Sequence, residues 1–251
     1  MWYNGYDFLN VKPSNVHDAA QYAIKQATAA VTISGLEELQ NAGDEEFIDL
    51  LDARMDVAEA TMANNLSVGG FSDGTDPLSI NGLQQQVSKT PATGVVGNIP
   101  RADNAFWQNQ AFPGMTSANL ETLMRKAWLA TKRGRDKVDI IPCDNDTYEL
   151  YEASMREDRR FMNRKMADAG FENITFKGSP VVFDESCPDN TMYFLNCKYI
   201  MLRPHSKRNM VPSKKKEAIN QDATIQHILW AGNMTMSNPH LQAVIHGGAG
   251  A

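Results

Sequence analysis

The sequence predicts an α+β protein organised around one long amphipathic helix, with a strand-forming arm before it and two shorter helices interleaved with strands after it. Three observations carry this. Between Asp44 and Leu66, the residues Phe47, Leu51, Met55, Ala58, Met62 and Leu66 recur every three or four positions, a single apolar stripe with the period of an α-helix. The same period returns over shorter lengths from Leu120 to Trp128 and from Tyr148 to Met166. From Thr191 onward the apolar segments are short and rich in β-branched and aromatic residues, as strands are.

The arm comes first. Trp2, Tyr6 and Phe8 share one parity around a glycine, and Tyr22 and Ile24 then alternate on even positions, Val31 and Ile33 on odd ones. The parity switch across Gln26–Ala30 requires a bulge or a change of twist if this is one strand. Residues 1–35 read as a two-stranded arm that has too little to bury alone and must lie on something, another subunit included. The spine helix follows. Asp44, Glu45 and Glu46 suit its first turn, and Gly69-Gly70 stop it. Its apolar stripe spans a rod of about 35 Å.

Beyond the spine, D-G, D-P and N-G steps mark consecutive turns through residues 67–83. The pair Phe106-Trp107 reads as an anchor pinning a loop to a core. Thr116-Ser117 offers a cap to a helix closed by Lys132, Arg133 and Gly134. Residues 138–142 form a buried strand, Asp144 or Asn145 opens the next helix, and Ile174, Phe176 and Val181–Phe183 return to strand. Two helices among short strands make a compact α+β unit. The strands MYFLN, KYIMLR, ATIQHILWAGN and LQAVIH complete the chain. Between them, residues 203–216 hold six basic residues: Arg203, Lys207, Arg208, Lys214, Lys215 and Lys216.

Composition narrows the function. A chain of 251 residues with 42% hydrophobic content can bury one large or two small cores. A net charge of −6 opposes a dedicated nucleic-acid binder, which needs basic excess to displace counterions. Cys143, Cys187 and Cys197 fit neither a disulfide framework nor a zinc template, which points to a reducing compartment. The N-terminus lacks signal-peptide features and no apolar run reaches membrane-span length, so the expectation is a soluble, cytosolic start with no membrane partner.

Catalytic templates fail on geometry. Gly178-Ser179-Pro180 puts proline where a nucleophile elbow needs an oxyanion-hole N–H. Gly94-Val95-Val96-Gly97 has neither the lysine of a phosphate loop nor dinucleotide-binding spacing. The histidines His17, His205, His227, His240 and His246 are scattered. The sequence thus predicts no catalytic, cofactor or metal residues; the rival reading is an α+β enzyme using scattered His and Asp residues.

The phrases TISGLEELQNAG, FSDGT with INGL, TGVVGNIPR with FWQNQ, GFENITFKGSPVVFDESCP and TMYFLNCKYIMLRPH occur in an order and spacing that resembles the major capsid protein of tailed bacteriophages, the Hong Kong 97-like fold. The resemblance covers nearly the whole chain. It implies a virion shell protein with an extended loop at residues 1–43, a peripheral domain at 44–115 and 205–251, and an axial domain at 116–204 facing the five-fold and six-fold axes. It implies self-assembly as pentamers and hexamers into an icosahedral capsid in the bacterial host cytoplasm. Partners would be portal, scaffolding or decoration proteins and packaged DNA held without sequence specificity. A related encapsulin-like compartment is the alternative. Members of the family carry an N-terminal arm, sometimes with a cleaved scaffolding segment, before the extended loop, whereas the numbered sequence starts inside that loop.

The candidate intersubunit contacts are Trp2, Tyr6, Phe8, Tyr22, Val31 and Ile33 of the arm, expected to lack partners in their own subunit, and Lys214, Lys215 and Lys216 of the basic run. That run is expected to meet the acidic spine face (Asp44, Glu45, Glu46, Asp49, Asp52, Asp56) of the same or an adjoining subunit. Some shells of this fold join an extended-loop lysine to a neighbour's asparagine; here the candidates are Lys12 and Lys25 with Asn209, Asn233 or Asn238.

Overall fold

A helix laid on a long sheet forms one half of the molecule in the computed structural model, which describes residues 19–40, 44–155, 174–218 and 220–247. β1 (Lys25–Ser34) runs antiparallel to β12 (Ala223–Met236) in unbroken register, from Lys25 opposite Gly232 to Ser34 opposite Ala223. The expected bulge is absent from this ladder. Side chains alternate along a strand, so Ala27, Ala29, Val31 and Ile33 share the face of Ile228 and Trp230, while Ile24 lies before the strand and is exposed. α1 (Gly35–Gln40) begins in a capping box: the Ser34 N–H donates to Glu37 Oε2 (3.1 Å) and the Glu37 N–H to Ser34 Oγ (3.3 Å).

α2 (Asp44–Gly70) is the expected spine and ends at the expected glycines. Ala58 and Met62 are buried against Val31, Ile228 and Trp230, with Met55 and Leu66 half-buried around them. Small residues at Ala27 and Ala29 let the helix lie close to the strand. Burying Met62 alone contributes about 1.5–3 kcal/mol. Arg54 ties helix to strand: its guanidinium donates to Glu37 Oε1 (2.8 Å), Glu37 Oε2 (3.1 Å) and the Thr32 carbonyl (2.6 Å). The side chains of Phe47 and Leu51 lie outside the described residues.

The other edge of β12 pairs with β9 (Ile200–Pro204), β10 (Val211–Pro212) and β11 (Lys216–Glu217), giving five strands. Gly232 is needed here. A Cβ on it would lie 2.6 Å from the Arg203 carbonyl oxygen and 2.9 Å from Pro204 Cα, so only glycine lets β9 approach.

The second sheet has the order β4 (Gln110–Pro113), β13 (Ala243–His246), β8 (Thr191–Phe194), β5 (Ile141–Cys143), β7 (Ser179–Phe183), β6 (Thr175–Phe176). Two of its strands, β4 and β13, come from outside residues 116–204. α4 (Leu120–Thr131) and α5 (Asn145–Ser154) cover one face, where Leu120, Met124, Ala127 and Tyr151 meet Met192, Phe194, Ala243 and Ile245. The alternate residues Tyr193, Leu195 and Val244 point the other way, onto Phe71, Met234, Met236 and the short α3 (Leu83–Gln86). β12 thus begins in one sheet and ends in the core of the other.

Local details depart from sequence expectation where side chains have stronger partners. α4 starts after Asn119 rather than at a Thr116-Ser117 cap, because the Asn119 carboxamide accepts the Thr116 N–H (2.8 Å) and donates to the Gly114 carbonyl (2.8 Å). α5 opens at Asn145 with Asp144 in the N-cap position, as expected, but the Asp144 side chain makes no capping bond. Its carboxylate accepts the N–H groups of Asn190 and Thr191 (both 3.1 Å), locking the entry of β8 to the end of β5. Met162 and Met166 lie outside the described residues. In the aromatic pair only Trp107 is an anchor, buried and donating from Nε1 to the Val96 carbonyl (3.0 Å) in the hairpin of β2 (Val95–Val96) and β3 (Ile99–Pro100), while Phe106 remains 54% exposed.

Candidate assembly surfaces

The arm residues divide into three groups. Trp2, Tyr6, Phe8 and Lys12 lie outside the described residues. Tyr22 is half-buried beside Ala20, Val96, Ile99 and Trp107; its hydroxyl donates to the Met236 carbonyl (3.1 Å) and accepts the Met236 N–H (3.3 Å). Burial raises its pKa, an effect opposed by the Met236 bond and by Arg101. Val31 and Ile33 are core residues of their own subunit, 5% and 1% exposed. The expectation that Tyr22, Val31 and Ile33 lack a partner at home is corrected: Met236 and Trp107 engage Tyr22, β12 pairs with β1 residue by residue, and α2 closes the same face. What β1 leaves open is its far edge. There a groove of about 460 Å³ runs between β1 and α2, lined by residues including Thr28, Ala30, Val57 and Thr61.

Lys214, Lys215 and Lys216 are exposed where the chain joins β10 to β11, on the edge of β12 opposite β1. α2 packs chiefly over β1, so the run and the spine lie toward opposite edges of the sheet. Arg208 donates to Gln26 Oε1 (2.9 Å) and Arg203 to Thr235 Oγ1 (3.1 Å). Asp52 and Asp56 are exposed on the spine.

Of the asparagines singled out for cross-linking, Asn233 is buried and fully engaged. Its Oδ1 accepts the N–H groups of Asn81 (2.9 Å) and Met234 (2.8 Å), and its Nδ2 donates to the Ala23 carbonyl (2.7 Å) and to Asn81 Oδ1. Asn209 is exposed and Asn238 half-buried. Lys25 Nζ donates to the Pro77 carbonyl.

Arg101 is 1% exposed; it donates from one guanidinium nitrogen to the Gln86 carbonyl, and its Nε has no bond. Burial lowers its pKa to about 10, with Tyr22 acting in the opposite sense. Burial pushes the Cys143 thiol up to about 12, aided by Asp144, and raises Cys187 further. The described residues contain no cluster of His, Cys, Asp and Glu side chains that could hold a metal. A second cleft, of about 750 Å³, is lined by Phe106, Trp107, Arg133, Asp136, Tyr199 and His240. In it Asp136 accepts from Lys198 Nζ (3.0 Å) and the Tyr199 hydroxyl (2.8 Å), which lower its pKa, Tyr199 contributing most.

Sequence reasoning missed a second basic concentration. Arg125, Lys126, Lys132, Arg133, Arg135 and Lys137 put six cations on and just after α4, as many as in the run at 203–216. All six are exposed. The signal lay in the charge spacing, which the strong apolar stripe of the same helix overshadowed.

No family model matches the chain, and no curated protein matches it. Solved structures do. The chain is similar to a chain of the cyanophage A-1(L) capsid asymmetric unit at 15% identity and a TM-score of 0.61, over 88% of this chain and 77% of that one. It is similar to the capsid of a native GTA particle at 11% identity and 0.59, over 90% and 73%. It is also similar to the SrpI encapsulin of Synechococcus elongatus PCC 7942 at 9% identity and 0.58, over 90% and 74%. The fold is therefore the α+β capsid fold, the Hong Kong 97-like fold that the sequence resemblance implied.

Proposed function

We propose that this chain is the major capsid protein of a tailed bacteriophage, a structural subunit that closes into an icosahedral shell around double-stranded DNA. The observation that carries this reading is the whole-chain likeness: about nine-tenths of the sequence aligns with capsid subunits, so the fold is shared as a unit rather than as one common motif. Pentamers and hexamers follow from heterologous contacts repeated around a closing rotation. In this reading residues 1–43 are the extended loop, with its base, β1, built into the subunit's own sheet. Trp2, Tyr6 and Phe8 remain the candidates for reaching a neighbour. Residues 44–115 and 205–251 form the peripheral domain, and 116–204 the axial domain, completed by β4 and β13.

The acidic chain suits a wall that contains DNA without gripping it, since packaged phosphates bring their own counterions. Portal, scaffolding or decoration proteins complete the particle in the virion, and assembly takes place in the host cytoplasm. Lys214–Lys216 are assigned to the acidic spine face of an adjoining subunit. No helix among the described residues is long and apolar enough to cross a membrane.

Expression of the chain in bacteria, followed by sedimentation and electron microscopy, tests the reading. Closed shells are expected; a monomer at every salt concentration removes it. The encapsulin-like alternative has its own support in the SrpI likeness, and the contents of the particles separate the two. Particles from phage-infected cells that contain double-stranded DNA support the capsid. Particles that hold a protein cargo and no DNA support the compartment.

A further inference from the structure

The outer edge of β1 is an unfilled strand position. The Gly35 N–H donates to the Asp222 carbonyl (2.9 Å), one step beyond the β1–β12 ladder. Odd-numbered residues of β1 therefore turn their N–H and C=O groups toward β12, and even-numbered residues turn theirs outward. Two outward groups are taken, the Thr32 carbonyl by Arg54 (2.6 Å) and the Ser34 N–H by Glu37 (3.1 Å). Among the described residues nothing meets the N–H and C=O groups of Gln26, Thr28 and Ala30 or the N–H of Thr32. Open strand edges are normally blunted by charge or proline, and β1 has neither beyond Lys25, whose ammonium is held by the Pro77 carbonyl. Beside this edge lies the groove of about 460 Å³ along the flank of α2, where Val57 is exposed. The only charged side chain among its described lining residues, Arg54, is already paired with Glu37.

We propose that residues 2–9 of a neighbouring copy add to the outer edge of β1 as a further strand of the five-stranded sheet, with Trp2, Tyr6 and Phe8 turned toward α2 and filling the groove. This rests on the shell reading above and names the seat of the arm. A neutral groove beside bare backbone groups selects an occupant that is extended, apolar on one parity and nearly uncharged. Residues 2–9 alternate in that way and carry a single charge, Asp7, on the opposite parity to Trp2, Tyr6 and Phe8. Neither of two other stretches outside the described residues fits: 156–173 is rich in Arg, Lys, Asp and Glu, and 248–251 holds only glycine and alanine. Extended, residues 2–9 span about 23 Å, against about 20 Å of edge from Gln26 to Thr32. The donor is a neighbour because Pro13-Ser14-Asn15 is the turn signal ahead of β1. A hairpin closed there sets Phe8, Tyr6 and Trp2 opposite Ala20, Tyr22 and Gln26 of the same copy, short of Thr28.

Amide hydrogen exchange of the full chain, unassembled and in shells, reads this contact. In the unassembled subunit the outward N–H groups of Thr28, Ala30 and Thr32 should exchange freely, while β12 protects those of Ala29 and Val31. In shells the outward set should slow by at least about a hundred-fold. The variant W2S/Y6S/F8S should assemble at least about ten-fold less, and any shells it forms should lack that protection. Thr28→Pro should act likewise, because it removes one outward N–H and leaves the β12 ladder intact. The triple variant changes nothing in the described residues, so it carries the test whether or not the proline is tolerated. The proposal is overturned if the outward amides exchange as fast in shells as in the free subunit, or if they are already slow before assembly. It is equally overturned if the triple variant assembles like the wild type with those amides protected. In each of these cases wild-type shells persist and the shell reading stands; absence of wild-type shells would instead remove both.

Discussion

Asn233→Ala removes one carboxamide and releases three segments at once: the strand entering β1 at Ala23, the turn at Asn81 after the spine helix, and β12 itself. A protein hydrogen bond contributes about 1 kcal/mol net, and a buried donor left without a partner costs about 1–3 kcal/mol. Four bonds are lost. The Met234 N–H is buried and stays unpaired, whereas the groups of Ala23 and Asn81 recover part of their loss from water. The expected destabilisation is about 3 kcal/mol, a fall in melting temperature of about 6–12 °C for a chain of this size. Urea unfolding of the unassembled subunit measures it. Asn233→Asp separates accepting from donating: the carboxylate still accepts from Asn81 and Met234 but meets the Ala23 carbonyl and Asn81 Oδ1 as a second acceptor. Its pKa is then raised in the folded state, so this variant should gain stability as the pH falls through that value and the protonated acid donates. An Asn233→Ala chain within about 1 kcal/mol of the wild type would refute the argument that this amide holds the three segments together.

Three further outcomes are expected. Met62→Ala should cost about 2–5 kcal/mol in urea unfolding, because the side chain has no exposed surface between helix and sheet; a loss below about 1 kcal/mol would mean that α2 does not pack as described. The Arg54 guanidinium, then the Ser34 N–H, hold the half-buried Glu37 carboxyl down to about 2, so the stability from this contact is present above the ordinary carboxylate range and is lost as pH falls through about 2. In an NMR titration Arg54→Ala should raise the Glu37 midpoint toward the ordinary range, the Ser34 N–H still holding it below, and an unchanged midpoint would contradict the pairing. In the unassembled subunit an aromatic disulfide reagent should titrate Cys197 alone, faster as pH rises because its thiol pKa is also raised, with Cys143 and Cys187 reacting only on unfolding; three fast thiols in the native protein would contradict their burial.

The parts of the fold legible in the sequence are those where a large apolar group recurs with a regular period. Met55, Ala58, Met62 and Leu66 mark α2, and Leu120, Leu123, Met124 and Ala127 mark α4, because each faces one continuous core. β1 was harder to read for the opposite reason: its core face is built from Ala27 and Ala29, too small to register against Tyr22 and Ile24 just before it. Its partner strand lies about two hundred residues away, and no local pattern carries that pairing. The stitching amides Gln86, Asn109, Asn233 and Gln242 were invisible too, since each is fixed by backbone groups distant in sequence. Of the candidate surfaces, the Lys214–Lys216 run was legible as charge. The α4 face emerged only once the structure showed which side of the helix is buried.

Electron microscopy of the wild-type chain expressed alone at low salt tests the central claim most directly. The account predicts closed particles built of pentamers and hexamers, with one copy of this fold in every subunit position. A protein that remains monomeric across salt and concentration, with no rings or shells in the images, would contradict it.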